Sequence, residues 1–408
     1  MATPTIASPL TLPNGVVIAN RLAKAAMAEN LAPKSNVPDE NFKRIYKIWA
    51  AGGWGIVMTG NVQVDPAHLG SPQDLSVDQS RLSDPVYLKA WQEWADACKG
   101  STTIVQINHP GRQTPMGAGN RGMFAKAVAP SAIPLNFGDS IIAQLMRALL
   151  FGTPRALATE EVEVIIEQFV AAGKLSYDSG FQGVEIHGAH GYLLAQFMSS
   201  GTNKRTDAFG GSASKRVEIV VRIINGIREK TSPDFIIGLK LNSVDQATSG
   251  DSNEDCIEQV RRIVDAGIDF LEISGGSYES PTMSTGLVEK SARTKAREAY
   301  FLEFAQLIRQ NVPKVPLMVT GGFRTLAGIE AAIASKDTDM VGIGRPACLE
   351  GKLPKEILLN SNVTNKEEVV LQAPKQELNW FMKKVPIKAI GAGAEGMWYS
   401  AKLQLLGL

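Results

Sequence analysis

The decapeptide Glu185-Ile186-His187-Gly188-Ala189-His190-Gly191-Tyr192-Leu193-Leu194 gathers three proton-handling side chains, His187, His190 and Tyr192, and holds two of the chain's four histidines. Three chemistries suit this spacing. The imidazoles of His-x-x-His could ligate a metal, but such a site usually needs a third ligand, and neither a Cys/His cluster nor a His-Glu-x-x-His helix supplies one in sequence. They could instead bond the backbone and serve only structure. Or they could stay neutral and donate hydrogen bonds to a substrate oxygen beside a tyrosine acid.

The flanking segments suggest how these groups are positioned. Residues 183–186, Gly-Val-Glu-Ile, have the apolar character of a strand buried on both faces. A periodic helix from Glu160 to about Ser179 precedes it and stops at Gly180. Helix, short turn, buried strand and a polar cluster at the strand's end is the layout of a (β/α) barrel, where side chains at strand C-termini are the ones free to do chemistry. Eight such apolar runs occur, at 22–28, 55–60, 102–107, 183–187, 235–241, 270–274, 316–320 and 340–343. The fold class expected is therefore α/β, a single (β/α)8 TIM barrel over residues 1–408.

An open doubly wound sheet is the alternative, marked by a glycine-rich phosphate turn after its first strand. Two Gly-x-Gly-x-x-Gly strings exist, but 117–122 lies in a Pro/Gly-rich loop and 391–396 is too near the end for a following helix, strand and ribose-binding acid. Residues 110–159 form a connection longer than ordinary loops, and its apolar middle, 141–151, reads as a lid over a ligand or as a surface helix or subunit contact. Hydrophobic residues at 44% and charged ones at 20% suit a large buried core, and a net charge of +1 gives no steering toward nucleic acid or membranes. With no apolar leader or membrane-length run, the expected location is cytoplasmic. Cys98, Cys256 and Cys348 read as reduced thiols and are too few for a four-thiolate iron–sulfur cluster.

Downstream of the decapeptide runs Gln196-Phe197, then Asn203-Lys204-Arg205-Thr206-Asp207, then Phe209-Gly210-Gly211-Ser212. Together these nearly thirty residues closely resemble the signature of the old yellow enzyme family, the flavin-dependent ene-reductases. The resemblance implies FMN as cofactor and NADPH or NADH as hydride donor. It implies an enone, enal or nitroalkene substrate held by His187 and His190 and protonated by Tyr192. A homodimer is left open.

Glycines after strands seven and eight, with an arginine, could cradle a phosphate in many barrels. In this family they correspond to the FMN phosphate site, which places Gly321, Gly322, Gly344 and Arg345 there. By the same resemblance Ala26, Met27, Ala28, Gly60, Gln106 and His187 face the flavin. Lys240 stands where relatives have arginine, near the flavin atoms that carry negative charge on reduction. Ala28 replaces the usual Thr or Cys that bonds the flavin O4, and Asn30 stands where some bacterial relatives have tyrosine. An FMN-dependent isomerase or oxidase on the same site, or a non-catalytic flavin-binding protein, are the alternatives.

Overall fold

The computed structural model describes residues 3–122, 124–242, 250–274, 304–374 and 388–406, with backbone alone for 388–395. Eight strands form the barrel: β1 (Leu22–Lys24), β2 (Ile56–Gln63), β3 (Thr102–Asn108), β4 (Gly183–Gly188), β5 (Ile236–Asn242), β6 (Phe270–Ser274), β7 (Leu317–Thr320) and β8 (Met340–Ile343). Each is parallel to its neighbour, and β1 pairs with both β8 and β2, which closes the sheet. The closed parallel barrel expected from the eight apolar runs is the observed fold.

Alternation along the strands explains why these segments read as unbroken apolar runs. Val184, Ile186, Ile237, Leu239, Leu271 and Ile273 belong to the outer core beneath the helices. Their alternates point into the barrel, where Ile104, Ile236, Phe270, Met318 and Met340 form an inner layer that Leu12 and Ile18 of the N-terminal hairpin cover from below. Gly238 is required here, since a Cβ at that position would lie 2.1 Å from the Phe270 ring. Above this apolar layer the inward positions turn polar: Gln106, Glu185, His187, Lys240 and Glu272 are all buried.

The helices between strands begin and end where their caps dictate. Asp39, Asp84, Ser252 and Thr325 accept backbone N–H bonds ahead of the helices Glu40–Ala50, Pro85–Ala97, Asn253–Asp265 and Leu326–Ala334. The helix Thr159–Ser179 ends on Gly180 at φ 98°, a left-handed cap that glycine adopts without steric penalty. The first run leaves the sheet after Lys24, and residues 25–28 turn away along the barrel mouth. The second continues past Gly60 to Gln63, with its register to β3 shifting between Met58 and Asn61.

In the long connection after β3, Val128–Ala129 pairs with Arg155–Ala156, and a helix spans Ile141–Leu150. Ala143 alone is buried in that helix, while Ile141, Ile142, Leu145 and Leu149 are exposed. Of the two glycine strings, 117–122 lies in loop and 391–396 falls within the C-terminal helix Lys388–Leu405. No described helix is long and apolar enough to cross a membrane. All three cysteines are buried and unpaired.

Candidate active site

A cavity opens at the C-terminal mouth of the barrel, lined by residues 25–28, 320–324 and 342–346 together with Asn61, Gln106, His187, His190, Tyr192 and Lys240. His187 is the last inward side chain of β4. Its Nδ1 accepts the backbone N–H of Ala189 at 3.3 Å, so in the neutral ring the proton sits on Nε2 and that nitrogen is the donor. His190 follows in the left-handed region, φ 59°, a conformation that costs a non-glycine residue energy unless its surroundings enforce it. Gln113 from the loop after β3 supplies that restraint, donating to the His190 carbonyl at 2.8 Å. Tyr192 then caps the short helix Leu193–Met198, and Gln196 fixes the turn by donating to the Gly191 carbonyl at 2.7 Å.

The result is a cluster of three rings. The centroids of His187 and His190 are 5.0 Å apart, those of His187 and Tyr192 4.9 Å, and those of His190 and Tyr192 6.5 Å. Ser274, at the end of β6, lies 3.2 Å from both His190 Nε2 and the Leu241 carbonyl oxygen, and its one hydroxyl proton can be given to only one of them. Burial, followed by the charges of His190 and Lys240, pushes the His187 imidazole well below its ordinary range. Burial and Lys240 do the same to His190. Both rings are therefore neutral near pH 7.

This has a consequence for stability. A histidine kept neutral in the fold binds fewer protons than its unfolded counterpart below about pH 6.5, so its stabilising contribution is complete above that pH and is lost as pH falls. Each of the two should remove roughly 1.4 kcal/mol per unit below about pH 6.5, until its folded value is reached. Urea unfolding at about pH 7.5 and 5.5 should show wild type losing more stability than a His187→Asn/His190→Asn variant. Equal losses would show that the rings are not held neutral.

Twelve residues singled out in sequence come together here: Ala26, Met27, Ala28, Gln106, His187, His190, Tyr192, Lys240, Gly321, Gly322, Gly344 and Arg345 all line the cavity. Gly60 does not. Its N–H donates to Glu29 Oε1 at 2.8 Å and to the Tyr46 hydroxyl at 3.1 Å, and a Cβ there would lie 2.0 Å from Glu29 Oε2. The glycine makes room for a buried glutamate.

The chemistry of the lining suits FMN. Gly321 and Gly322 have φ of 120° and 89°, and Gly344 begins the short helix Arg345–Leu349, so backbone N–H groups and the Arg345 guanidinium meet where a phosphate would bind. A Cβ at Gly342 would lie 1.9 Å from Thr320 Oγ1, so β7 and β8 pack too closely here to admit a side chain. Gln106 and Lys240 offer polar groups on the opposite wall, and residues 25–28 an apolar one.

Reading the sequence missed Arg324, Asn61 and Ser274. Arg324 stands one residue past the glycine run of β7 and was in principle visible as a second cation beside it. Asn61 reaches the wall because β2 continues through its irregularity, and Ser274 reaches His190 through strand register; neither has a local signal.

The other two histidines gather elsewhere. Asp65, His68 and His109 bring ligand atoms within 4.8 Å of one another, the one cluster of metal-ligating type among the described residues. His109 Nδ1 accepts the Gly111 N–H at 3.0 Å, which puts its proton on Nε2, facing Asp65 at 3.8 Å. A nitrogen carrying a proton is not a ligand. His68 Nδ1 bonds Asp65 Oδ2 at 2.6 Å, while His109 Nε2 stands beyond hydrogen-bond reach of that carboxylate. Burial opposes ionisation of Asp65, but the neighbouring His109 and His68 imidazoles hold its carboxyl below the usual range.

Comparison with known proteins agrees with this geometry. The model of the NADH:flavin oxidoreductase / NADH oxidase family matches residues 5–362. The chain belongs to this FMN-dependent family, the old yellow enzymes. It is 43% identical to the NADH-dependent flavin oxidoreductase iccE of Talaromyces variabilis, over 100% of this chain and 99% of that protein. It is 48% identical to the NADH-dependent flavin oxidoreductase iliE of Neonectria sp., over 94% of this chain and 51% of that protein, so it spans about half that relative's length. Morphinone reductase, at 22% identity, shares the fold with a TM-score of 0.70 over 88% of this chain and 90% of its own.

Proposed function

We propose that this family member reduces the activated C=C bond of α,β-unsaturated carbonyl or nitro compounds at the expense of a reduced nicotinamide coenzyme, with NADH favoured by the names of its fungal relatives. When bound, FMN supplies the two-electron relay between coenzyme and acceptor. The phosphate end of the cavity, with Gly322, Gly344 and Arg345, anchors the cofactor, and Gln106 and Lys240 orient its ring. His187 Nε2–H and the His190 ring converge on one region, where they hold the acceptor's oxygen and draw electron density from its alkene. Tyr192, 4.9 Å from His187 between ring centroids, supplies a proton to the α-carbon on the face away from the cofactor.

The observation that carries this reading is the convergence of two neutral imidazoles and a tyrosine on the cavity that suits FMN. Anaerobic reduction of the flavin by NADH, followed by addition of 2-cyclohexenone, tests it. Flavin should reoxidise with formation of one equivalent of cyclohexanone; unchanged enone over still-reduced flavin would refute the assignment.

Ala28 tunes the same reaction. Ala28 lines the cavity and its methyl donates nothing; by the family resemblance this is the position from which a hydroxyl or thiol would bond the flavin O4. A hydrogen bond to a group that gains charge on reduction contributes roughly 1.5–3 kcal/mol. At about 30 mV per 1.4 kcal/mol for a two-electron couple, Ala28→Thr should raise the flavin midpoint by a few tens of millivolts. Reduction by NADH should quicken and transfer to a poor enone should slow. A spectroelectrochemical titration giving an unchanged or lower midpoint would contradict the O4 assignment.

A further inference from the structure

Ala26, Met27 and Ala28 form one wall of the cavity, yet the sheet of the barrel does not hold them. The Ala25 N–H bonds the Ile343 carbonyl at 3.0 Å and the Ala32 N–H bonds the Gln73 carbonyl at 3.0 Å, but residues 26–31 make no backbone–backbone hydrogen bond among the described residues. Side chains fix this segment instead. Glu29 is buried and accepts from the Tyr46 hydroxyl and the Gly60 N–H. The attachments on either side of it come from the C-terminal helix Lys388–Leu405, which lies outside the residues that carry the family match.

Ser400, buried on that helix, has its Oγ 2.8 Å from the Ala28 carbonyl and 3.1 Å from the Gly396 carbonyl one turn earlier, and it accepts from Asn30 Nδ2 at 2.9 Å. Its single proton has the shorter path to Ala28. Gln404, one turn further along, donates from Nε2 to the Asn30 carbonyl at 3.2 Å, and Arg44 in turn donates to the Gln404 carbonyl at 3.1 Å. Asn30 needs this support. Its φ of 49° is a left-handed conformation, which asparagine tolerates better than most residues but which persists only where the surroundings enforce it. Tyr399 and Leu403 seat the same helix in the core, and it packs against the short helix Arg345–Leu349 that begins at the phosphate cradle.

We propose that the C-terminal helix clamps the flavin site: Ser400 and Gln404 hold residues 28–30 in the one conformation that presents Ala26, Met27 and Ala28 to the cofactor. The bond to the Ala28 carbonyl fixes the peptide plane that joins Ala28 to Glu29, and the two bonds to Asn30 fix the turn that follows. Ser400 and Gln404 are positioning residues, acting through the backbone of the wall. The inference rests on FMN occupying the cavity and is independent of the enone chemistry.

The test uses the full chain loaded with FMN. Flavin fluorescence on dilution gives the dissociation constant, and visible circular dichroism reports the surroundings of the bound ring. Ser400→Ala should weaken FMN binding by roughly three- to tenfold, the range set by the net contribution of one hydrogen bond, and should alter the flavin dichroism. Met397→Ala, at an exposed position of the same helix, should change neither. A helix that serves as a strut alone predicts something different: Ser400→Ala would lower the urea midpoint while FMN affinity and dichroism stayed as in wild type, and that result would overturn the proposal.

Should Ser400→Ala fail to fold, Asn30→Gly decides. Glycine adopts the left-handed turn without steric penalty, so this variant removes the side-chain link to Ser400 and leaves the backbone conformation accessible. It should weaken FMN binding and alter the dichroism in the same direction; unchanged values would overturn the clamp. Wild-type protein that takes up no FMN would overturn the cofactor assignment itself, and the clamp with it.

Discussion

Tyr192→Phe should leave reduction of bound FMN by NADH within about twofold of wild type and slow reduction of an enone by roughly 10²–10⁴-fold, the usual contribution of a positioned general acid. The separation follows from geometry. Tyr192 lines the cavity beside His187 and His190, and its hydroxyl is needed only where a proton reaches the acceptor. Neither the phosphate end of the cavity nor the wall formed by Gln106 and Lys240 involves it. Stopped-flow traces of the two half-reactions, recorded separately under anaerobic conditions, give the comparison. Equal slowing of both halves would show that Tyr192 shapes the cavity and does not act as the acid.

His187→Ala should reduce kcat/KM for enones by about 10²–10³-fold, as removal of one well-aimed donor to a developing oxyanion does, and should weaken phenol binding in parallel. The Ala189 N–H fixes the His187 proton on Nε2, so the loss is of a defined donor and not of general polarity. His187→Asn, which restores an N–H of shorter reach, should recover part of the activity. If His187→Ala binds phenols as tightly as wild type, the oxygen of the ligand rests elsewhere. His190→Ala should have the smaller effect, since that ring also bonds Ser274.

Why so much of the site could be read in advance is visible in its construction. The three rings lie on one continuous turn leaving β4, so their spacing in sequence is their spacing in space. The residues after them owe their pattern to folding. Asn203 Nδ2 donates to the carbonyls of Phe197 and Phe209, each at 2.7 Å, and Arg205 pairs with Asp207. A Cβ at Gly210 would lie 2.3 Å from the Arg205 carbonyl oxygen. These braces hold the loop beneath the rings, which is why a scaffold motif marks a chemical site so specifically. The barrel was legible for a different reason: strands with helices outside and side chains inside have two buried faces, and so appear as short apolar runs.

What escaped depends on register or on which side of an element faces inward. Glu272 meets Lys240 because two strands align, thirty-two residues apart in sequence. Glu29 fills the space at Gly60 from the segment after β1, a contact with no local signal in sequence. The apolar stretch 141–151 does fold as a helix, but composition says nothing about direction, and its large side chains point to the exterior.

The most direct test of the proposed chemistry follows the two hydrogens added to the alkene. 2-Cyclohexenone should be reduced first with NADH deuterated at its transferable position in ordinary water, then with unlabelled NADH in heavy water, and the product read by NMR. The expected result is coenzyme-derived deuterium at the β-carbon and solvent-derived deuterium at the α-carbon, with the solvent label reduced in Tyr192→Phe. Enone recovered unreduced while NADH is consumed, or both labels at the α-carbon, would contradict a site in which two histidines hold the oxygen and a tyrosine delivers the proton.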